Sequence, residues 1–289
     1  MNNKPLFAAI LVLTLVTMAC GVQFNLPVTQ VKTGPTQTEE ISVPVPDTSK
    51  SIDLTFSFGA GKIKLQPTAQ DALVSGTATY NVMDFKPVIE TTGSQVEIKQ
   101  GNLEIKGIPN FEKDIKNDWD LKIAEGTPLN LKINAGAYSG RYEFGGLSLE
   151  NLEITDGASD VNVSFSEPNP SEMRTLRYNT GASNVTLEGL GNANFSTMTF
   201  KGGAGNYKLD FAGEIQQDAV VSIDSGVSTV TIVVPEGVPA QVTFEGGLSN
   251  VETFGGWTQS GDLYSQDGSG AKLTIIVKLG AGTLELRNK

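Results

Sequence analysis

The chain of 289 residues has no histidine and one cysteine. The first absence removes the commonest general base and the commonest zinc ligand from any mechanism. Serine chemistry is then left with a Ser–Lys arrangement, and nothing in the sequence singles one out. The second absence excludes an intramolecular disulfide. Positive charge is also scarce: 21 Lys and Arg stand against 32 Asp and Glu, for a net charge of −11. Nucleic-acid binding, which rests on neutralising phosphates, is excluded by that balance, as is polybasic attachment to anionic lipid. Helical periodicity is missing too. The nearest approach is 109–119, where charges surround Phe111 and Ile115, and it predicts at most a short helical turn.

The single cysteine is informative by its place. Lys4 is followed by an apolar run from Leu6 to Met18 and then by Ala19 and Cys20. The run is too short for a transmembrane helix, and residues 1–19 read as a secretory signal to be kept out of the fold. The stretch VTMAC resembles a bacterial lipoprotein signal, with Thr17 where that pattern prefers leucine. The resemblance implies cleavage between Ala19 and Cys20, acylation of Cys20, and a membrane held through lipid, where each buried methylene contributes about 0.8 kcal/mol. An ordinary signal peptide with an incidental cysteine is the alternative. Residues 20–48, rich in Pro, Thr and Gln, read as an extended tether.

From residue 49 short alternating runs take over, such as SIDLTFSF (51–58), QVEIKQ (95–100) and WDLKIA (119–124). A period of two is that of a half-buried strand. Residues 49–133 are therefore an N-terminal β portion. Residues 134–289 carry a repeat: NAGAYSGRYEF, TDGASDVNVSF, NTGASNVTLEG, KGGAGNYKLDF, DSGVSTVTIVV, EGGLSNVETFG and KLGAGTLELRN, with an earlier copy in SFGAGKIKLQP. The shared glycines are Gly59, Gly136, Gly157, Gly181, Gly203, Gly226, Gly247 and Gly280; from Gly136 to Gly247 they step by 21, 24, 22, 23 and 21 residues. Such a period predicts an all-β solenoid or β-roll of stacked rungs. Each glycine is expected at a rung corner with positive φ, and the residue after it, usually alanine, inside the stack. The last step, 33 residues, holds WTQSGDLYSQDGSG and is expected to cap the terminal rung.

Candidate chemistry is thin. GGAGNYKLD partly matches a calcium-binding β-roll nonapeptide, but Tyr207 sits where that motif needs a carboxylate and the period is near 22, not nine. No cofactor and no metal are implied. Trp119 and Trp257 are weak ligand candidates, since an indole stacks on a sugar ring, and a packed core position is the simpler reading of each. Asp156, Asp160 and Asp224 flank repeat glycines; aligned on one edge they would give a polysaccharide-acting enzyme its carboxylates. Turn residues bonding their own backbone explain them more simply.

With NDWDLKIAEGTPLNLKINAGA (117–137), LSLENLEITDGASDVNVSF (147–165) and GGWTQSGDLYSQDGSGAKLTIIVKLGAGTLEL (255–286), the chain resembles the toast-rack family of bacterial extracytoplasmic proteins. The family shares its β-repeat with C-terminal domains of membrane proteins that modulate cell-wall stress responses. The resemblance implies a β-roll or β-helix and supplies no catalytic residue. The expected function is a lipid-anchored, non-enzymatic structural, adhesive or envelope-sensing module whose partner is an envelope glycan or a membrane protein. The alternatives are an envelope polysaccharide enzyme and a regulator of a membrane signalling protein.

Overall fold

The computed structural model describes residues 28–48, 50–101, 108–111 and 115–289. Within them lie β1 (Val28–Val31), β2 (Gln37–Pro44), β3 (Ile52–Thr68), β4 (Ala72–Tyr80), β5 (Pro87–Thr92), β6 (Gln95–Gln100), β7 (Ile108–Phe111), β8 (Asn117–Ala124) and β9 (Leu129–Glu143). They continue with β10 (Leu149–Thr155), β11 (Ala158–Ser164), β12 (Met173–Glu188), β13 (Phe195–Asp210), β14 (Ala219–Val234), β15 (Ala240–Phe254), β16 (Thr258–Ser260), β17 (Leu263–Gln266) and β18 (Leu273–Asn288). The described helical residues are two short 3-10 turns, Met83–Phe85 and Leu190–Ala193. The turn expected at 109–119 is not helical where it is described: β7 and the start of β8 occupy it.

The chain divides into two compact units. In one, β1 and β7 form a parallel pair, Val28 opposite Ile108. The other holds a single sheet in the order β16-β17-β15-β18-β14-β13-β12-β10-β9-β3-β8-β4-β2, with β11 beside β9 and β12 and with β5 and β6 joined to β3. β2, which pairs antiparallel with β4 from Gln37 to Pro44, belongs to this sheet, so the expected tether ends before it. β9 runs unbroken across the expected boundary between 133 and 134.

The repeats stack in parallel and in register. One inward column reads Phe56, Ile133, Ile154, Tyr178, Phe200, Ile223, Val277, Phe244 across β3, β9, β10, β12, β13, β14, β18 and β15. A second, on the far side of the glycines, includes Val161, Val185, Tyr207, Val230 and Leu284, all buried. Both columns feed one hydrophobic core. No single strand buries its apolar face alone, so adjacency does the work.

How one strand serves the core with both halves is visible in its side-chain parity. In β12, Leu176 and Tyr178 point inward, then Val185 and Leu187, while neighbouring Gly181 and Ala182 both face out. Alternation has slipped by one, and a strand with two successive outward residues has turned around its core. The same doublet is exposed at Gly157-Ala158, Gly203-Ala204, Gly226-Val227 and Gly247-Leu248. The residue after the glycine therefore lies outside the stack, opposite to expectation; the inner places go to residues such as Asp156, Ser183, Ser225 and Ser228.

The glycines do not take positive φ at any of the eight positions. Six of them are required by close approach of a neighbouring backbone. A Cβ on Gly136 would lie 2.4 Å from the carbonyl oxygen of Gly59, and on Gly181, 2.5 Å from that of Gly157. On Gly203 it would lie 2.6 Å from Gly181, on Gly226 2.7 Å from Gly203, on Gly280 2.7 Å from Gly226, and on Gly247 2.6 Å from Gly280. Gly157 is looser, at 3.2 Å from Gly136. In KGGAGNYKLDF the positive φ belongs instead to Gly205, at 151°, where a Cβ would also strike the Ser183 carbonyl.

The glycine order shows a departure from the sequence order. β18 inserts between β14 and β15, so Gly280 stacks between Gly226 and Gly247. The strand ending the stack is β15, not the last repeat. Residues 255–266 form the β16–β17 hairpin, which pairs antiparallel with β15 only from Ala240 to Thr243. It covers only the start of the terminal strand.

Candidate functional site

Outward residues of the stacked strands form aligned polar rows, because parallel in-register pairing sets equivalent positions side by side about 4.8 Å apart. On the first halves one row is Asp53, Asn130, Asn151, Thr175 and the next is Thr55, Lys132, Glu153, Arg177. Asn151 Nδ2 donates to Asn130 Oδ1 at 2.7 Å, and Asn130 Nδ2 donates to Asp53 Oδ1 at 2.8 Å. Glu153 takes Lys132 at 3.3 Å on one side and Arg177 at 3.8 Å on the other. These residues line an open groove of about 320 Å³. Exposed pairs of this kind each contribute about 0.2–1 kcal/mol; their effect is a fixed, repetitive pattern of donors and acceptors. The second halves repeat the theme: Asn206 Nδ2 donates to Asn184 Oδ1 at 3.0 Å, and Arg141 bridges to Asp160 at 2.8 Å.

The interior holds a polar cluster around Asp156. Asp156 is buried, and its Oδ2 accepts from Tyr178 Oη at 2.7 Å and Tyr138 Oη at 3.3 Å, while Thr180 Oγ1 donates to Oδ1. Burial pushes the Tyr138 phenol up, with the Tyr178 and Asp156 charges adding to it. Burial and then Asp156 do the same for Tyr178. Burial and then Tyr138 raise Tyr142. These hydroxyls stay protonated, and those of Tyr138 and Tyr178 remain donors to Asp156. Asp156 is thereby an internal acceptor that joins neighbouring strands, because a buried carboxylate needs such partners.

The three aspartates do not converge. Asp156 is inside, Asp160 lies on an outer face of the second halves, and Asp224 is exposed in the row Lys201, Asp224, Lys278, Glu245. The alignment on one edge that a hydrolase would use is absent. Trp119 is 2 % exposed and packs edge-on against Phe58 at 5.1 Å, so it has no ring face for a sugar. Trp257 is half-buried and packs against the core. Ala19 and Cys20, with the signal reading, fall outside the described residues. Among the described residues no helix is long and apolar enough to cross a membrane.

Two features escape sequence reasoning. The tyrosine cage of Asp156 joins residues 138, 156, 178 and 180; its one linear trace is an aspartate in a slot that elsewhere holds Thr180, Gly202, Ser225 or Gly246. The other is the finish of the stack at Gly59. Gln100 Oε1 accepts from Gly59 N at 2.9 Å, and Asn117 Nδ2 donates to Ala60 O at 2.7 Å and to Gln100 Oε1 at 2.9 Å. Side-chain amides stand there where another strand's peptide would be.

An all-β sheet of glycine-punctuated, register-aligned strands, with ordered polar rows outside and a sequestered carboxylate inside, defines an all-β protein built from repeats. The chain belongs to the toast-rack family: it matches the N-terminal toast-rack domain over residues 32–187 and 172–233. Among solved structures it is similar to a candidate cell-adhesion protein from Clostridium sporogenes, at 17 % identity and a TM-score of 0.48, covering 88 % of this chain and 100 % of that one. A candidate adhesin from Parabacteroides merdae aligns at 9 % identity and a TM-score of 0.40 over 90 % and 98 % of the two chains. A candidate lipid-binding protein from Parabacteroides distasonis aligns at 10 % identity and 0.38 over 89 % and 99 %. No curated protein matches it in sequence.

Proposed function

We propose that this protein is a β-solenoid held to the outer face of a cell membrane through Cys20, and that it works as a non-enzymatic adhesive or envelope-sensing module. The observation that carries the reading is the aligned outer face, Asp53–Asn130–Asn151 beside Lys132–Glu153–Arg177. A stack of equivalent rungs repeats the same donors and acceptors at a fixed spacing, which suits a polymer of repeating units such as an envelope glycan. Its carboxylates are engaged with neighbouring amides and cations rather than poised beside one another. The family match and the VTMAC signal support the extracytoplasmic setting.

The test is a binding screen of residues 21–289 against envelope glycans, peptidoglycan fragments included, with product analysis by mass spectrometry. Saturable binding of intact glycan that is lost in Lys132→Glu is expected. Shortened glycan would replace this reading with an enzymatic one. The anchor is tested separately, by acyl labelling of the full chain and of Cys20→Ala; equal labelling of both would remove it.

A further inference from the structure

We propose that the outer edge of β15, from Glu245 to Phe254, docks an extended segment of a partner protein with the pattern basic–x–Gly–x–x–x–x–basic, which adds as one more parallel strand. The inference deepens the binding-module reading and rests on it.

The first observation is the edge itself. β15 pairs with β18 along its length. On its other side β17 covers Ala240–Thr243, and Phe244 N donates to Asp262 O at 2.9 Å. Beyond that point no strand among the described residues pairs with its outer side. Unpaired strand edges are templates for another chain, and main-chain hydrogen bonds supply the affinity when a peptide adds to one. At Gly59, the other end of the glycine ladder, the outer side of β3 is covered by β6, by β8 and by the amides of Gln100 and Asn117.

Charge says what the edge accepts. The outward row Lys201, Asp224, Lys278, Glu245 alternates in sign and stops on an acid, with Lys278 Nζ 3.0 Å from Glu245. In the parallel row on the second halves Glu252 stands beside Glu285, and Glu285 is already held by Arg287 at 2.9 Å. Both rows therefore end in a carboxylate at the open edge, and a basic residue at each position of the next strand continues them. A second copy, added about a two-fold axis, would instead face acid with acid.

The glycine ladder sets the register between those two bases. Each ladder glycine after Gly59 sits where a Cβ would meet the carbonyl of the glycine one strand back. A parallel newcomer meets the Gly247 carbonyl the same way and so needs glycine there. Glu245 lies two residues before Gly247 and Glu252 five after it, which gives the pattern stated. Leu248, 87 % exposed at the column position that Ala182 and Ala204 hold further in, offers the incoming strand an apolar contact. β13 itself satisfies the pattern through Lys201, Gly203 and Lys208, and so supplies a probe.

The experiment measures fluorescence anisotropy of the synthetic peptide FKGGAGNYKLD, which copies residues 200–210, titrated with the full chain in detergent. Saturable binding is expected. It should weaken at least tenfold when both peptide lysines become glutamate, and again when the peptide glycine equivalent to Gly203 becomes valine. The double variant Glu245→Lys, Glu252→Lys, with an unchanged melting midpoint, should prefer the glutamate peptide. Equal affinity for the lysine and glutamate peptides, or no binding of either, would overturn the proposal. A concentration-dependent dimer abolished by the double variant would overturn it too, by giving the edge to a second copy. Glycan binding measured on the same preparation separates this failure from failure of the binding-module reading, since it uses the outer face and not the edge.

Discussion

The two ends of the glycine ladder, β3 and β15, carry the same repeat and are finished differently. At Gly59 the amide groups of Gln100 and Asn117 take the hydrogen bonds that a further strand would make. At Gly247 the backbone is exposed, and a hairpin covers the strand only from Ala240 to Thr243. The contrast teaches that a repeat fold is limited by what ends it: interior strands are satisfied by neighbours, and each end needs its own solution.

The largest effect belongs to the interior. Gly203→Val places a branched side chain against a carbonyl 2.6 Å from its Cβ, and overpacking of that order costs about 3 kcal/mol. At roughly 2–4 °C per kcal/mol the melting midpoint should fall by about 8 °C. Gly256→Val, with nothing within 4 Å of its Cβ, should leave the midpoint unchanged; equal losses in the two would remove the close-approach account. Gly157→Ala should be milder than Gly181→Ala, following 3.2 Å against 2.5 Å.

Next in size is Asp156→Ala, which strips the shared acceptor from Tyr138, Tyr178 and Thr180. An unsatisfied buried donor costs about 1–3 kcal/mol, and urea unfolding should report a loss of about 2 kcal/mol. At the closed end, Gln100→Ala should cost about 1 kcal/mol by freeing Gly59 N. At the open end, Glu252→Gln should change stability by less than about 0.5 kcal/mol. Similar losses at the two ends would erase the contrast between them.

The smallest effect is a pH dependence. Burial opposes ionisation of Glu143, but hydrogen bonds from the Ser164 hydroxyl and from the N–H groups of Ser166 and Gly145 outweigh it and hold its carboxyl below the usual range. A lowered folded-state value contributes stability above the unfolded value, and that stability is lost as pH falls through the folded one. Glu143→Gln should flatten the acid limb of the melting-midpoint profile, and an unaltered limb would assign it to other carboxylates.

Much of the fold was legible because it is local. Strand alternation gave Val161, Val163, Val185, Leu187, Tyr207 and Leu209 as core, and all are buried. The glycine period marked the stacked positions, but φ was the wrong reason for it. The requirement comes from a neighbour one strand away, which a linear pattern does not carry. Strand order failed in the same way: nothing between Gly247 and Gly280 announces that β18 slips in beside β14. The candidate site was less legible still, since Asp53, Asn130 and Asn151 meet through register across nearly a hundred residues.

The claim that the stack is closed at one end and open at the other is tested most directly by hydrogen exchange read by mass spectrometry. The account predicts slow exchange through β13, β14 and β18, persistent protection at 56–61 beside Gln100, and rapid exchange on the free side of 245–254. Equal protection of 56–61 and 245–254 would contradict it.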